Sequence, residues 1–246
     1  MFNITRNFIF IIITLTFMIN SRILVAQEKP YNFIKFGIRG TGGITDTSYL
    51  NSMVNEWYES VVDASNAELQ GELIALPVNV EYGYQPFVLI RPLRFIQIGA
   101  KMDYTFSSLS GKFQNPITNE KYELSFRAKS YIPSLFAVLA LGKLEAGGGV
   151  FRSYTNIQVN DNFFGYSDSW FGTNTGYELS LGFSSTSKKH VGFTMGIKYR
   201  DLFIESFSDS LNRRITYTNS TEDMSLGMSG FIFELGLYFQ FIKINK

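Results

Sequence analysis

The chain has 246 residues, of which 17% are charged and 16% aromatic, with 24 Phe, 21 Gly and no Cys. This is an unusual composition for a soluble domain, in which about 25% of residues are charged. The lack of cysteine excludes a disulfide scaffold, a thiolate metal site and a lipid anchor on cysteine.

Residues 1–26 have the layout of a cleavable signal peptide. Arg6 supplies a positive start, the run 8–19 is almost wholly apolar, and Ala26 is the small residue that a signal peptidase needs. A membrane-anchoring helix is the alternative, but it needs roughly 20 apolar residues and this run offers about 12. We predict cleavage before Gln27. The remaining chain has 20 Lys plus Arg and 21 Asp plus Glu, a net charge of −1, so we expect no nucleic-acid partner.

Beyond residue 30, apolar and polar residues alternate with a period of two. In FIQIGAKMDYTF (95–106), for example, Ile98 and Met102 oppose Gly99 and Asp103. Because successive side chains of a strand point to opposite faces, the period predicts strands with one apolar face and one face rich in Gly, Ser and Thr. We predict eight strands, at 33–43, 72–87, 94–108, 121–138, 143–158, 172–185, 190–205 and 225–241.

The segment 46–64, between the first two strands, has a different period. Its apolar residues recur every four positions, at Tyr49, Met53, Trp57 and Val61. This spacing predicts an amphipathic helix, with Asp46 or Thr47 as its N-cap. The helix is either a surface element that binds a partner or a lid packed on the mouth of the barrel.

The predicted connections alternate in length. Long segments (44–71, 109–120, 159–171 and 206–224) alternate with short ones (88–93, 139–142 and the SSTSKKH turn). Long loops on one side and short turns on the other are typical of outer-membrane barrels whose two termini are periplasmic. We therefore predict that 27–246 is one all-β domain. Its fold would be an eight-stranded, antiparallel, up-and-down transmembrane β-barrel with a short helix in the first outer loop.

A secreted, lipocalin-like ligand-binding barrel would also alternate, with its apolar face inward. Two features favour the membrane barrel. The polar faces carry few charges, whereas a water-facing surface would carry many. Aromatic residues lie near the ends of the apolar faces, as in interfacial girdles, at Tyr82, Tyr84, Tyr104, Phe106, Tyr199, Phe239 and Phe241.

One hairpin carries a family resemblance. YIPSLFAVLALGKLEAGGGVFRSY (131–154) resembles the hairpin of PorT-like outer-membrane barrels of Bacteroidetes, in which an Ile-Pro strand turns into a Leu-Glu-Ala-Gly strand. LPVNVEYGY (76–84) looks like a looser copy of the Ile-Pro strand. The resemblance implies an eight-stranded barrel. Because the founding member is linked to type IX secretion, it also implies a role near that system.

Charged residues on the predicted polar faces form the candidate site, in the lumen. They carry both signs, as a closed lumen requires, because a buried unpaired charge is costly. They are either a structural salt-bridge network, which suits a narrow eight-stranded lumen, or an ion or solute path. The predicted members are Arg39, Glu81, Lys101, Asp103, Arg127, Glu178, Lys198, Arg200 and Glu234.

Catalytic motifs are missing from the sequence. The one histidine, His190, falls in a turn predicted to be periplasmic, whereas small barrel enzymes keep their histidine near the outer surface. No nucleophile elbow, zinc-binding helix or phosphate loop occurs. The spacing of Asp161 and Asp168 matches no cation loop. Asp209-Ser210-Leu211 resembles a Bacteroidetes O-glycosylation site. We predict no catalytic, cofactor-binding or metal residues and no cofactor.

The sequence thus predicts a small non-enzymatic outer-membrane barrel, structural or secretion-associated. A narrow pore or small-solute porin is the alternative. The expected partners are outer-membrane lipid and, as candidates, envelope or secretion-system proteins. The sequence leaves the oligomeric state open.

Overall fold

The computed structural model describes residues 32–46, 48–65, 79–93, 95–115, 119–185, 190–216 and 225–243. The predicted signal peptide and its cleavage site before Gln27 lie outside these residues, as does part of the SSTSKKH turn. The described residues form a closed ring of eight long antiparallel strands. The predicted all-β, up-and-down barrel is therefore confirmed.

The long strands are β1 (Asn32–Thr45), β2 (Asn79–Ile90), β3 (Ile96–Gln114), β4 (Lys121–Leu141), β5 (Leu144–Asp161), β6 (Tyr166–Ser184), β7 (Val191–Asp201) and β11 (Gly230–Lys243). Each pairs with the next around the ring, and β11 pairs with both β7 and β1 to close it. Three short strands lie between β7 and β11: β8 (Phe203–Ile204), β9 (Phe207–Ser208) and β10 (Leu226–Gly227). Of these, β10 pairs with β8, and β9 extends the edge of β6.

The predicted helix is present as α1 (Ser48–Ser65). It begins two residues after Asp46, one N-cap candidate, while the other, Thr47, lies outside the described residues. In the described part of the chain, no helix is long and apolar enough to cross a bilayer.

Two of the predicted long loops are mostly strand. β3 continues to Gln114 instead of ending at residue 108, and β5 and β6 are joined by residues 162–165 alone. The alternation continues there with its polarity reversed. On β3, the outward residue after Phe106 is Ser108, and the inward Leu109 is buried. A strand prediction that requires an apolar outer face therefore places the end of β3 too early in the chain.

Three layers fill the interior of the barrel. Near the short turns lies a small apolar cluster, with Phe87 and Tyr238 among its members. The middle layer holds buried charged side chains. At the long-loop end, α1 packs over a larger apolar cluster that includes Phe126 and Trp170. Charges thus occupy the lumen between two apolar layers.

The turn between β4 and β5 consists of Gly142 and Lys143. Gly142 has φ +67°, a left-handed conformation that glycine adopts without strain. This tight turn joins β4 directly to β5.

Candidate functional site

The outer wall of the barrel is an apolar belt. Outward residues along β11 are exposed, and three of them, Phe233, Leu235 and Leu237, are 60–66% exposed. The belt covers about ten residues of each strand, which at a rise of ~3.3 Å and the tilt of a barrel gives about 25 Å, the height of a bilayer's apolar core. Such an exposed surface, around a charged interior, is stable in lipid and unstable in water. The barrel therefore spans a membrane.

Lys198 is the centre of the charged lumen. Its Nζ lies 2.5 Å from Oδ2 of Asp103, 3.1 Å from Oε1 of Glu234 and 3.9 Å from Oε2 of Glu178. The four side chains come from β7, β3, β11 and β6 and are almost fully buried. Alternation on each strand directs them inward, and the register brings them to one level. One ammonium thus joins four strands.

Glu234 connects this centre to β1. Its Oε2 accepts a hydrogen bond from Nη1 of Arg39 at 2.9 Å, and its Oε1 accepts one from Nε2 of Gln85 at 3.0 Å. Gln85 also accepts a bond from Arg39 at 3.0 Å and donates one to Asp103. The amide of Gln85 therefore bridges both carboxylates and the guanidinium.

Two further pairs of predicted residues lie in the lumen. Nζ of Lys101 lies 2.5 Å from Oε1 of Glu178, and Nη2 of Arg200 contacts Oε2 of Glu81. All four side chains are at most 3% exposed. Burial removes water from both ions of a pair, and this cost is offset only when each charged group contacts its partner. An ion crossing the lumen would have to break these contacts.

A further ion pair, which the sequence pattern did not indicate, lies in the lumen nearer the short turns. Nζ of Lys35 lies 3.1 Å from Oε1 of Glu145, donates to Oγ of Ser184 at 2.6 Å and lies 4.0 Å from the centre of the Tyr238 ring. Lys35 could have been found, because it alternates with apolar neighbours on β1. The inward position of Glu145 could not be predicted, because the glycine run that follows it interrupts the alternation of apolar and polar residues on β5.

Arg127 was predicted for the lumen, and this prediction is wrong. Its side chain is exposed on the outer face of β4, the face that carries Tyr131 and Leu135. The reason is the reversal of polarity above Tyr131, where the outer face becomes polar and the inner face apolar. A polar face marks the lumen only within the membrane. The other eight predicted residues do come together in the lumen.

Helix α1 closes the long-loop end through its apolar face. Val54, Trp57 and Val61 are buried in the apolar cluster there. The indole N–H of Trp57 donates to Oδ2 of Asp161 at 2.8 Å. Oδ1 of Asp161 accepts backbone N–H groups at the start of the next turn, so this carboxylate holds the helix and the turn together. The lid interpretation accounts for these contacts.

His190 is exposed at the short-turn end, with Nδ1 3.2 Å from the carbonyl oxygen of Gln240. Asp168 accepts bonds from the backbone of Ser169 and the hydroxyl of Tyr166. Among the residues that the structure describes, no three His, Asp or Glu side chains are grouped so as to hold a metal ion.

No family model matches the chain, and no curated protein matches it. Several solved structures are similar. They include the outer membrane protein OprG from Pseudomonas aeruginosa (12% identity, TM-score 0.48, covering 87% of this chain and 97% of that one). Ail, the attachment invasion locus protein of Yersinia pestis, is 11% identical (TM-score 0.44, covering 86% of this chain and 100% of that one). Neisserial surface protein A is 9% identical (TM-score 0.44, 85% and 97% covered). The structural neighbours are small outer-membrane barrels, and the fold of this chain rests on its own strand pairing.

Proposed function

We propose that this protein is a non-enzymatic β-barrel of a bacterial outer membrane and that it acts through its surface and its partners. The observation that carries the proposal is the combination of an apolar outer belt with a lumen filled by paired charges and covered by α1. A filled lumen leaves the outer wall and the long-loop end as the surfaces available for interaction.

The proposed orientation places both ends of the barrel domain in the periplasm and the long-loop end outside the cell. The connections support it. Residues 91–93 and the Gly142-Lys143 turn lie at the same end of the barrel as the start of β1 and the end of β11, while α1 lies at the other end. Outer-membrane barrels keep short turns on the periplasmic side.

Association with protein secretion is the form of this role that we favour. Its support is the PorT-like resemblance of residues 131–154, which make up the facing parts of β4 and β5. The test is a deletion strain whose secreted proteome is compared with that of the wild type, together with crosslinking of the tagged barrel in the envelope. We expect a changed secreted fraction and a captured envelope protein. Intact secretion with no captured partner would leave a structural role at the surface.

The competing function is a narrow pore. Purified protein in planar bilayers should show little or no steady conductance, because the pairs around Lys198 occupy the lumen. Large, reproducible channels would show that the charges line a path. Glu56→Gln, on the exposed side of α1, is a control that should leave the measured conductance unchanged.

A further inference from the structure

Three cations point away from the barrel on two neighbouring strands. Arg127 and Lys129 lie on the outer face of β4, and Arg152 lies on the outer face of β5. All three are exposed. We call them the outer basic patch. An exposed charge needs no explanation on a soluble protein, but here it borders an apolar belt.

A row of tyrosines passes through the patch. Tyr84 stacks on Tyr104 with ring centroids 4.8 Å apart, Tyr104 meets Tyr131 edge-on at 5.3 Å, and Tyr131 lies directly opposite Tyr154. Amphipathic rings of this kind mark the boundary between the apolar core of a bilayer and its headgroups. This tyrosine row therefore gives the height of the headgroup layer on β2 to β5.

The patch lies on both sides of that row. Lys129 and Arg127 occupy the next two outward positions of β4 toward the long-loop end, and Arg152 is one outward position below Tyr154. The guanidinium carbon of Arg152 lies 5.5 Å from the centre of the Tyr154 ring. Strand geometry separates the Cα atoms of Lys129 and Arg152 by about 14 Å. The three charges therefore extend from the edge of the apolar belt, at Arg152, to the polar part of the wall beyond the tyrosine row, at Lys129 and Arg127.

The patch has no anionic partner among the described residues. The outward residues opposite Arg127 and Lys129 are neutral: Ser108, Phe106, Gln158 and Asn156. The outward ion pair of this sector, Lys112 with Glu123 at 4.0 Å, lies farther toward the loops. Cations at a membrane surface are stabilised by anionic lipid, so an unpaired patch at this height is complementary to a negative headgroup.

An apolar groove lies directly below the patch. Pro86 and Pro133 lack an N–H, and the ladder is interrupted at both: between β2 and β3 it passes from Tyr84 to Phe87, and between β4 and β5 from Tyr131 to Ser134. A groove of about 1050 Å³ occupies this part of the wall. Pro86, Met102, Pro133, Val150 and Arg152 are among its lining residues, so a charge of the patch forms part of its rim.

We propose that this wall binds a phosphorylated glycolipid of the outer leaflet, with its phosphates on the outer basic patch and an acyl chain in the groove. The inference rests on the proposed outer-membrane location and orientation. Arg and Lys at headgroup height suit phosphate, which guanidinium groups bind in a bidentate manner. The mainly apolar groove, open to the membrane, suits a hydrocarbon chain.

The test is native mass spectrometry of the detergent-folded protein with bisphosphorylated lipid A, with the same lipid after removal of its phosphates, and with inorganic phosphate. Arg127→Gln/Lys129→Gln should weaken binding of the phosphorylated lipid at least about tenfold, and Arg152→Gln severalfold, since each basic residue near a lipid surface contributes to binding. Lys112→Gln/Lys121→Gln removes as many charges from the same sector, away from the tyrosine row, and should bind like the wild type.

The groove has its own pair of variants. Val150→Trp fills it and should reduce lipid binding, whereas Leu237→Trp changes an equally exposed position on β11 and should not. The inference would be overturned if phosphorylated and dephosphorylated lipid bound equally well. It would also be overturned if the Lys112/Lys121 control lost as much lipid binding as the patch variants, or if millimolar inorganic phosphate displaced the lipid.

Gel mobility before and after boiling separates the two proposals. A heat-dependent shift with no preference for phosphate would contradict this inference alone. Loss of the shift in the wild type would contradict the membrane-barrel proposal on which it rests.

Discussion

The ammonium nitrogen of Lys198 lies 2.5 Å from Oδ2 of Asp103, and both side chains are 1% exposed. They come from β7 and β3, which are diametrically opposed in the ring. The contact therefore ties one wall of the barrel to the other. It also defines the middle of the lumen, because Glu178 and Glu234 surround the same ammonium.

Removing this ammonium should destabilise the barrel strongly. Lys198→Met leaves the carboxylate of Asp103 buried without its closest cation, a change that costs about 3–5 kcal/mol in buried pairs. Lys198→Met/Asp103→Leu removes both charges and should be less destabilised than either single variant. Urea unfolding in detergent micelles, followed by gel mobility, measures the free energy of unfolding. Strictly additive effects would contradict a direct pair.

The lid should depend on one hydrogen bond. Trp57→Phe keeps most of the buried ring but removes the donor to Asp161, which we expect to cost about 1–2 kcal/mol. Trp57→Ala also opens a cavity and should cost about 3–5 kcal/mol. Protease cleavage within α1 of the folded barrel should rise in the same order. The exposed Glu59→Gln is the matched control, and equal cleavage in all four proteins would argue against a packed lid.

Glycine is required where β11 faces Arg39. A Cβ on Gly236 would meet the carbonyl oxygen of Ile38 and lie 2.8 Å from Cγ of Arg39. Gly236→Ala should therefore cost about 1–3 kcal/mol through overpacking and lower the yield of folded barrel. Gly40→Ala is the control, because a Cβ there would lie 3.8 Å from the carbonyl oxygen of Leu235, an ordinary contact distance. Equal yields from the two variants would contradict this close packing.

The turn at Asp209 should resist mild acid. Partial removal from water acts to raise the pKa of Asp209, but hydrogen bonds from the backbone N–H groups of Arg213 and Leu211 and from the Arg213 guanidinium hold that pKa below its ordinary value. A lowered folded-state pKa stabilises the turn above the ordinary aspartate range, and this contribution is lost only as the pH falls through the lowered value. The amide chemical shift of Leu211, followed in a pH titration, reports the titration midpoint of Asp209. A midpoint at or above that of a model aspartate would contradict the lowered pKa.

Local periodicity predicted the eight strands and the helix, because both periods are visible within ten residues of sequence. The partners of the lumen charges could not be predicted in this way. Lys198 and Asp103 are separated by 95 residues, and their contact depends on the register of every strand between them. The error at Arg127 has a different cause. Inner and outer faces exchange polarity where the wall leaves the membrane, and alternation alone does not show where that happens.

Within the membrane, the apolar face of each strand contacts lipid and the polar face lines a filled lumen. The natural chain has no cysteine, so single cysteines can be spin-labelled along β11 without background. In reconstituted bilayers, labels at Phe233, Leu235 and Leu237 should be accessible to oxygen and inaccessible to a water-soluble relaxation agent, while labels at Ile232 and Tyr238 should be shielded from both. Access of the water-soluble agent to the first three positions would contradict a lipid-facing apolar belt. So would an oxygen accessibility that did not alternate from one residue of β11 to the next.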